Sequence, residues 1–174
     1  MIQVLGVDPG ICGGLSIVRL LESGPHLVDA IDVPVVGSGA KQRVDAIALQ
    51  QWLLDHGPHR AFVERAGVMP RQGIASGFKF GRATGAIEAI ITVCNIPLEF
   101  IEPSLWKRAL RLRGKDKEGS RQFALNLFPH AHHLLKRKLD HQRAEAALIA
   151  YVGIHYLMLA KPEPTPSPIP EVVQ

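Results

Sequence analysis

The chain has 174 residues, 47% hydrophobic and 21% charged, with a formal net charge of +4, the size and mix of one ordinary globular domain. No apolar run approaches the roughly 18–20 residues that span a bilayer, so a membrane protein is not expected. The charge is uneven: residues 103–143 hold 11 Lys and Arg against 3 acids, and such a basic third is either a solvated face or the footprint of a polyanion binder.

The N-terminus reads as a strand rather than a signal peptide. Cys12 and Cys94 are too few and too far apart for a zinc site or a disulfide framework and are expected as reduced thiols of a cytoplasmic protein. Residues 2–8 alternate into an apolar strand, followed by a tight turn at Pro9-Gly10 and Gly13-Gly14. Residues 15–20 and 27–33 continue as an antiparallel meander. Residues 41–56 carry helical spacing through Val44, Ile47, Ala48, Trp52 and Leu53, and stop at Gly57-Pro58. A short strand at 60–64 ends on Glu64.

Residues 73–95 are helical by the spacing of Ile74, Phe78, Ile87, Ile90 and Ile91, and put Gly73, Gly77, Gly81 and Gly85 on one face. Each interior glycine costs about 1 kcal/mol against alanine. Close packing on the sheet would offset that cost; a smooth face for a second subunit is the alternative. A strand at 98–101 precedes helices at 103–110 and 118–128, which flank a basic loop, and a last helix covers 143–160. The pattern is α/β with a mixed sheet. Residues 161–174 place proline at every second position from Pro162 to Pro170, which predicts a polyproline-like or disordered tail after one domain at 1–160.

Strand-ending carboxylates carry the chemical signal. Asp8 ends an apolar strand, where it either caps the Pro9-Gly10 turn or serves as a metal ligand. Glu64 ends another and needs a positive partner, either Arg65 or a divalent cation shared with Asp8. Asp140 sits at a position suited to an N-cap. Glu145 lies among alanines, with no Lys or Arg at i±4, and shares a face with His141. Carboxylates on separate elements of a basic protein fit hard ions such as Mg²⁺ or Mn²⁺, and two such ions suit phosphodiester hydrolysis.

Gly6-Val7-Asp8-Pro9-Gly10, Val63-Glu64 and Asp140 with Ala144-Glu145-Ala146-Ala147-Leu148-Ile149-Ala150 together resemble the RuvC-type Holliday junction resolvases. Met69-Pro70-Arg71-Gln72-Gly73, Phe80-Gly81, Pro103-Ser104-Leu105-Trp106-Lys107 and Arg143-Ala144-Glu145-Ala146 bring it nearer the phage-encoded branch. The resemblance implies a ribonuclease H-like fold, a five-stranded mixed sheet flanked by helices. It also implies a metal-dependent endonuclease that nicks branched DNA as a homodimer, in a bacterial or phage-infected cell. By motif, Asp8, Glu64, Asp140 and Glu145 would be the catalytic acids and the ligands of two Mg²⁺ ions, with Mn²⁺ able to substitute.

Two departures from the family pattern stand out. The position three before Glu145 is Gln142, so either Asp140 reaches in or His141 replaces it; the carboxylate is the harder donor and is preferred. The family's aromatic wedge after the second acid is replaced by Gly67-Val68-Met69, while Phe78 and Phe80 read as core, which widens the expected substrates to branched DNA in general. Lys107, Arg111, Arg113, Lys115 and Lys117 suit phosphates, and Arg71, Gln72, Lys79 and Arg82 flank the expected site. His130, His132 and His133 read as a loop rather than a zinc site. Two other classes compete. One is a non-catalytic branched-DNA-binding module of the same fold. The other, an actin-like phosphotransferase, needs two domains that this length cannot supply.

Overall fold

Strict alternation along the first strand sets the architecture. In chain order the strands are β1 (Gln3–Asp8), β2 (Gly14–Leu21), β3 (Gly24–Asp32), β4 (Val35–Val36), β5 (Arg43–Val44), β6 (Arg60–Glu64) and β7 (Leu98–Ile101). The helices are α1 (Ala46–His56), α2 (Ile74–Val93), α3 (Pro103–Ala109), α4 (Lys117–Leu127), α5 (His132–Leu135) and α6 (His141–Leu159). They belong to a computed structural model that describes residues 2–65, 67 and 73–159. The expected proline-rich tail, Arg71, Gln72 and most of the segment after Glu64 lie outside the described residues.

Five strands form one sheet in the order β3-β2-β1-β6-β7, and β4 and β5 form a separate hairpin. β1 runs antiparallel to β2 and parallel to β6, and β6 is parallel to β7, so the mixed five-stranded sheet is as the sequence suggested. Successive side chains point to opposite faces. Val4 and Phe62 join a core with Ala144, Ala147 and Leu148 of α6, while Leu5, Val7, Ala61 and Val63 join one with Leu49 and Leu53 of α1 and Ile87 and Ile91 of α2. The same alternation turns Asp8 and Glu64 toward α6. The parallel register pairs Val7 with Val63, so the two acids end neighbouring strands side by side.

Helix α6 lies almost directly on β1 and β2. A Cβ on Gly6 would stand 1.9 Å from the Ala146 carbonyl oxygen, and one on Gly14 would stand 2.5 Å from the Gln142 carbonyl carbon. Alanine at Gly6 must therefore displace α6, at a cost of about 1–3 kcal/mol typical of overpacking. The short side chains of Ala144, Ala146, Ala147 and Ala150, all fully buried, complete this seat. It fixes where Glu145 sits above the strand ends.

Three expectations need correction. The helix predicted at 41–56 begins at Ala46, because the Asp45 carboxylate accepts from the Ala48 N–H at 3.1 Å and Val35 and Val44 pair in the hairpin instead. The glycine face of α2 does not pack on the sheet: around Gly73, Gly81 and Gly85 nothing lies where a Cβ would go, and Ile74 and Phe78 beside them are 93% and 70% exposed. His132 and His133 open the short helix α5, and His130 stacks on His26 with ring centroids 3.7 Å apart. Among the described residues no helix is long and apolar enough to cross a membrane.

Candidate functional site

The first turn after β1 builds the floor of the site. Gly10 adopts φ +116°, and a Cβ there would press on the Phe80 ring at 3.2 Å, so glycine answers both the left-handed backbone and the aromatic neighbour. Phe80 is thus a wall of the site rather than core, and exposed Phe78 is not core either. An open cavity of about 420 Å³ lies here, lined by Asp8, Gly10, Lys79, Phe80, Lys117 and Gln142.

Three acids converge electrostatically. Burial, then repulsion from Glu64 and Glu145, pushes the Asp8 carboxyl well above its ordinary value, and Lys117 and Lys107 only partly oppose this. Burial, then Glu145, raises Glu64 as well, against Lys107 and the Trp106 indole. Glu145 itself is 8% exposed. Its Oε1 accepts from the Ser120 hydroxyl at 3.1 Å and faces the Lys107 ammonium at 3.4 Å. Lys107 also lies 4.9 Å from the Trp106 ring centroid. The Trp106 N–H is buried without a formed hydrogen bond yet is close enough to Glu64 to favour its ionisation.

The partners differ from those the sequence offered. Arg65 does not neutralise Glu64; it pairs with Glu102 at 3.0 Å. Glu145 does have a cation, supplied from α3 rather than from its own helix. Asp140 is not among the charges that act on Asp8 or Glu64. Its carboxylate accepts from the Arg137 backbone N–H at 2.8 Å and from the Arg137 guanidinium at 2.6 and 2.8 Å. Burial opposes its ionisation, but Arg137 and Arg143 outweigh that and hold the carboxyl below its ordinary value. The preferred fourth acid is therefore occupied in closing the turn before α6.

His141 has the opposite character. Its Nδ1 lies 3.1 Å from the Lys138 carbonyl oxygen, an acceptor that Nδ1 can meet only as the donor. Its Nε2 is buried and has no partner. Among the described residues no three His, Cys, Asp or Glu side chains form a ready-made metal cage. Even so, buried carboxylates that repel one another suit a hard divalent cation in chemistry and charge. Lys107 supplies positive charge to this pocket in the structure.

Of the expected DNA contacts, Lys79, Lys107 and Lys117 surround the acids, and Arg111, Arg113 and Lys115 are exposed on the loop before α4. Arg82 is exposed on α2. Sequence reasoning missed Ser120 and Gln142. No local signal marks Ser120, since the helix that carries it is amphipathic in the usual way. Gln142 was visible as the residue three before Glu145.

No protein-family model matches the chain. Two crossover junction endodeoxyribonucleases RuvC, from two strains of Nitratidesulfovibrio vulgaris, are 31% and 30% identical over 112 residues, 63% of this chain. The match spans 66% of each relative, just under two thirds of its length. Among solved structures, Thermus thermophilus RuvC in complex with a Holliday junction substrate aligns with a TM-score of 0.70 at 21% identity, covering 91% of this chain and 97% of that one. The yeast mitochondrial Holliday junction resolvase aligns with a TM-score of 0.54 at 19% identity, over 85% of this chain and 75% of that one.

Proposed function

Proceeding from a chain that is RuvC-like in sequence and ribonuclease H-like in fold, we propose that the protein is a divalent-metal-dependent endonuclease that cuts branched DNA, four-way junctions among its substrates. The observation that carries this reading is the buried trio of Asp8, Glu64 and Glu145, in which Asp8 feels both other acids and is driven well above its ordinary pKa. Without a cation such a trio is a destabilising feature with no structural return. The nuclease domain runs over residues 1–160, with a proline-rich tail after it.

Asp8, Glu64 and Glu145 would hold the ions, two of Mg²⁺ or Mn²⁺ in each site. His141 replaces Asp140 as the fourth donor, because its Nε2 is free and the Asp140 carboxylate is not. Ions held there supply water activation and charge neutralisation at a phosphodiester. The chain's own groups orient the donors and hold the substrate. Ser120 fixes one Glu145 oxygen by donating to it, and Trp106 beside Glu64 favours its charged form. Lys107 and Lys117 bring positive charge beside Asp8, where a DNA phosphate would rest. Arg111, Arg113 and Lys115 extend that charge along the loop, with Arg71 and Gln72 as further contacts from the segment outside the described residues. Pairing through the open glycine face of α2 would give the homodimer that symmetric nicking of a junction requires.

A synthetic four-way junction incubated with Mg²⁺ or Mn²⁺ tests the reading. Cleavage is expected from the wild type, with Asp8→Asn binding the junction but not cutting it. A wild type that binds junctions and never cuts them with either ion would instead be a binding module, the reading that the Lys107–Glu145 ion pair favours.

A further inference from the structure

The cations of the described residues fall into two classes. Arg60, Arg65, Lys107, Arg121, Arg137 and Arg143 each pair with a carboxylate. Lys41, Arg43, Lys79 and Arg82 pair with none among the described residues, and the hairpin of β4 and β5 and the facing side of α2 bring them together. Lys41 lies in the hairpin turn, Gly39–Lys41. Two cavities of about 320 and 440 Å³ run between hairpin and helix, and Gln42, Lys79 and Arg82 line both. Arg43 joins the first of them. The Lys79 ammonium donates to the Gly39 carbonyl at 3.4 Å and so ties the hairpin to α2. Asp45, the acid that follows the hairpin, is turned away to cap α1.

This groove runs into the acid pocket. Lys79 lines both, and so does Ile11. The pocket is bounded by Lys79 from the groove and by Lys117 from the end of the basic loop. Two separate tracks of unpaired positive charge therefore meet at Asp8. Lys79 and Ala86, at the centre of the groove side of α2, sit about 100° or more round the helix from Gly81 and Gly85, and Arg82 lies between the two sides.

Resting on the nuclease reading, we infer that the groove between the β4–β5 hairpin and α2 is a second DNA track. It takes the phosphate backbone of another arm of a branched substrate, while the loop at 111–117 holds the arm that is cut. Unpaired cations in a concave surface focus a field on a polyanion. Such contacts position the backbone without reading sequence, and each adds salt dependence. A linear duplex can fill only one track, so the groove matters for junctions and little for linear DNA.

The test uses Asp8→Asn protein, so that DNA stays intact, with and without Arg43→Ala and Arg82→Ala together. Both arginines are exposed, and unchanged thermal melting verifies the fold. The dissociation constant is measured across a salt series for a four-way junction and for a linear duplex of the same arm length. The double substitution is expected to weaken junction binding about tenfold and to lower the salt slope by roughly 2, with less than about a twofold change for the linear duplex. Arg43→Lys with Arg82→Lys should restore most of the binding. An unchanged junction affinity and slope overturns the second track. Parallel losses on junction and duplex overturn it too, since the groove would then continue a single track. Failure of the nuclease reading looks different: the wild type cuts nothing, or the Asp8→Asn parent binds no junction, and the latter overturns both claims.

Discussion

Two groups of acids flank the start of α6, and they are built on opposite electrical plans. Asp140 is 1% exposed and fully answered: Arg137 gives it three hydrogen bonds, and Arg143 stands nearby at 3.9 Å. Asp32 joins the same network by accepting two bonds from Arg143, each 2.7 Å. Five residues along from Asp140, Glu145 shares a pocket with Asp8 and Glu64 in which the negative charge exceeds what Lys107 and Lys117 return. The first group spends its charge on holding the chain together. The second leaves repulsion unanswered at a cost in stability, a pattern that clusters at functional sites.

Neutralising one acid from each group should give crossed results. Asp8→Asn is expected to lower Mg²⁺-dependent junction cleavage by about 10³-fold or more, to leave junction binding nearly unchanged, and to raise the melting temperature of the metal-free protein. Asp140→Asn is expected to cost about 2 kcal/mol in a denaturant titration, below the usual range for a broken buried pair because Arg137 is half exposed. Cleavage by the folded Asp140→Asn protein should stay within a few-fold of wild type. If Asp140→Asn abolished cutting without unfolding the protein, the two groups would not differ as described.

Smaller effects probe the pocket's support. Ser120→Ala removes the hydroxyl that donates to Glu145 and should weaken Mn²⁺ binding about tenfold, the low end for a group that orients a ligand. Acid titration of the metal-free protein separates the groups by sign. The Asp8 pKa is raised on folding, so its contribution favours the folded state at low pH and is lost as pH rises through the folded value. The Asp140 pKa is lowered, so its contribution is present above the unfolded value and is lost as pH falls through the folded one. Stability profiles of the two asparagine variants should therefore lose opposite slopes, which differential scanning across pH 2–7 would reveal.

Much of this was legible in the sequence where one element dictates its own environment. The strands read at 2–8 and 60–64 do end on Asp8 and Glu64, and the alanine run around Glu145 marked a residue that is indeed buried. Legibility ended where partners come from elsewhere. Arg65 looked like the neighbour of Glu64 but reaches Glu102, and nothing local showed that Lys107 would face Glu145. Asp140 and His141 are adjacent in sequence, and only the fold shows that the carboxylate is committed and the imidazole is not. The hairpin was missed because Val44 and Ile47 continue a helical spacing on paper, while the Asp45 cap starts the helix later.

Calorimetric titration of the metal-free protein with Mn²⁺ tests the central claim most directly. The expected result is saturable uptake by the wild type that tightens as pH rises, because the ion must expel protons from Asp8 and Glu64, and that is lost in Asp8→Asn. Absence of uptake by the wild type, or equal uptake by Asp8→Asn, would contradict a cation site built from these three acids.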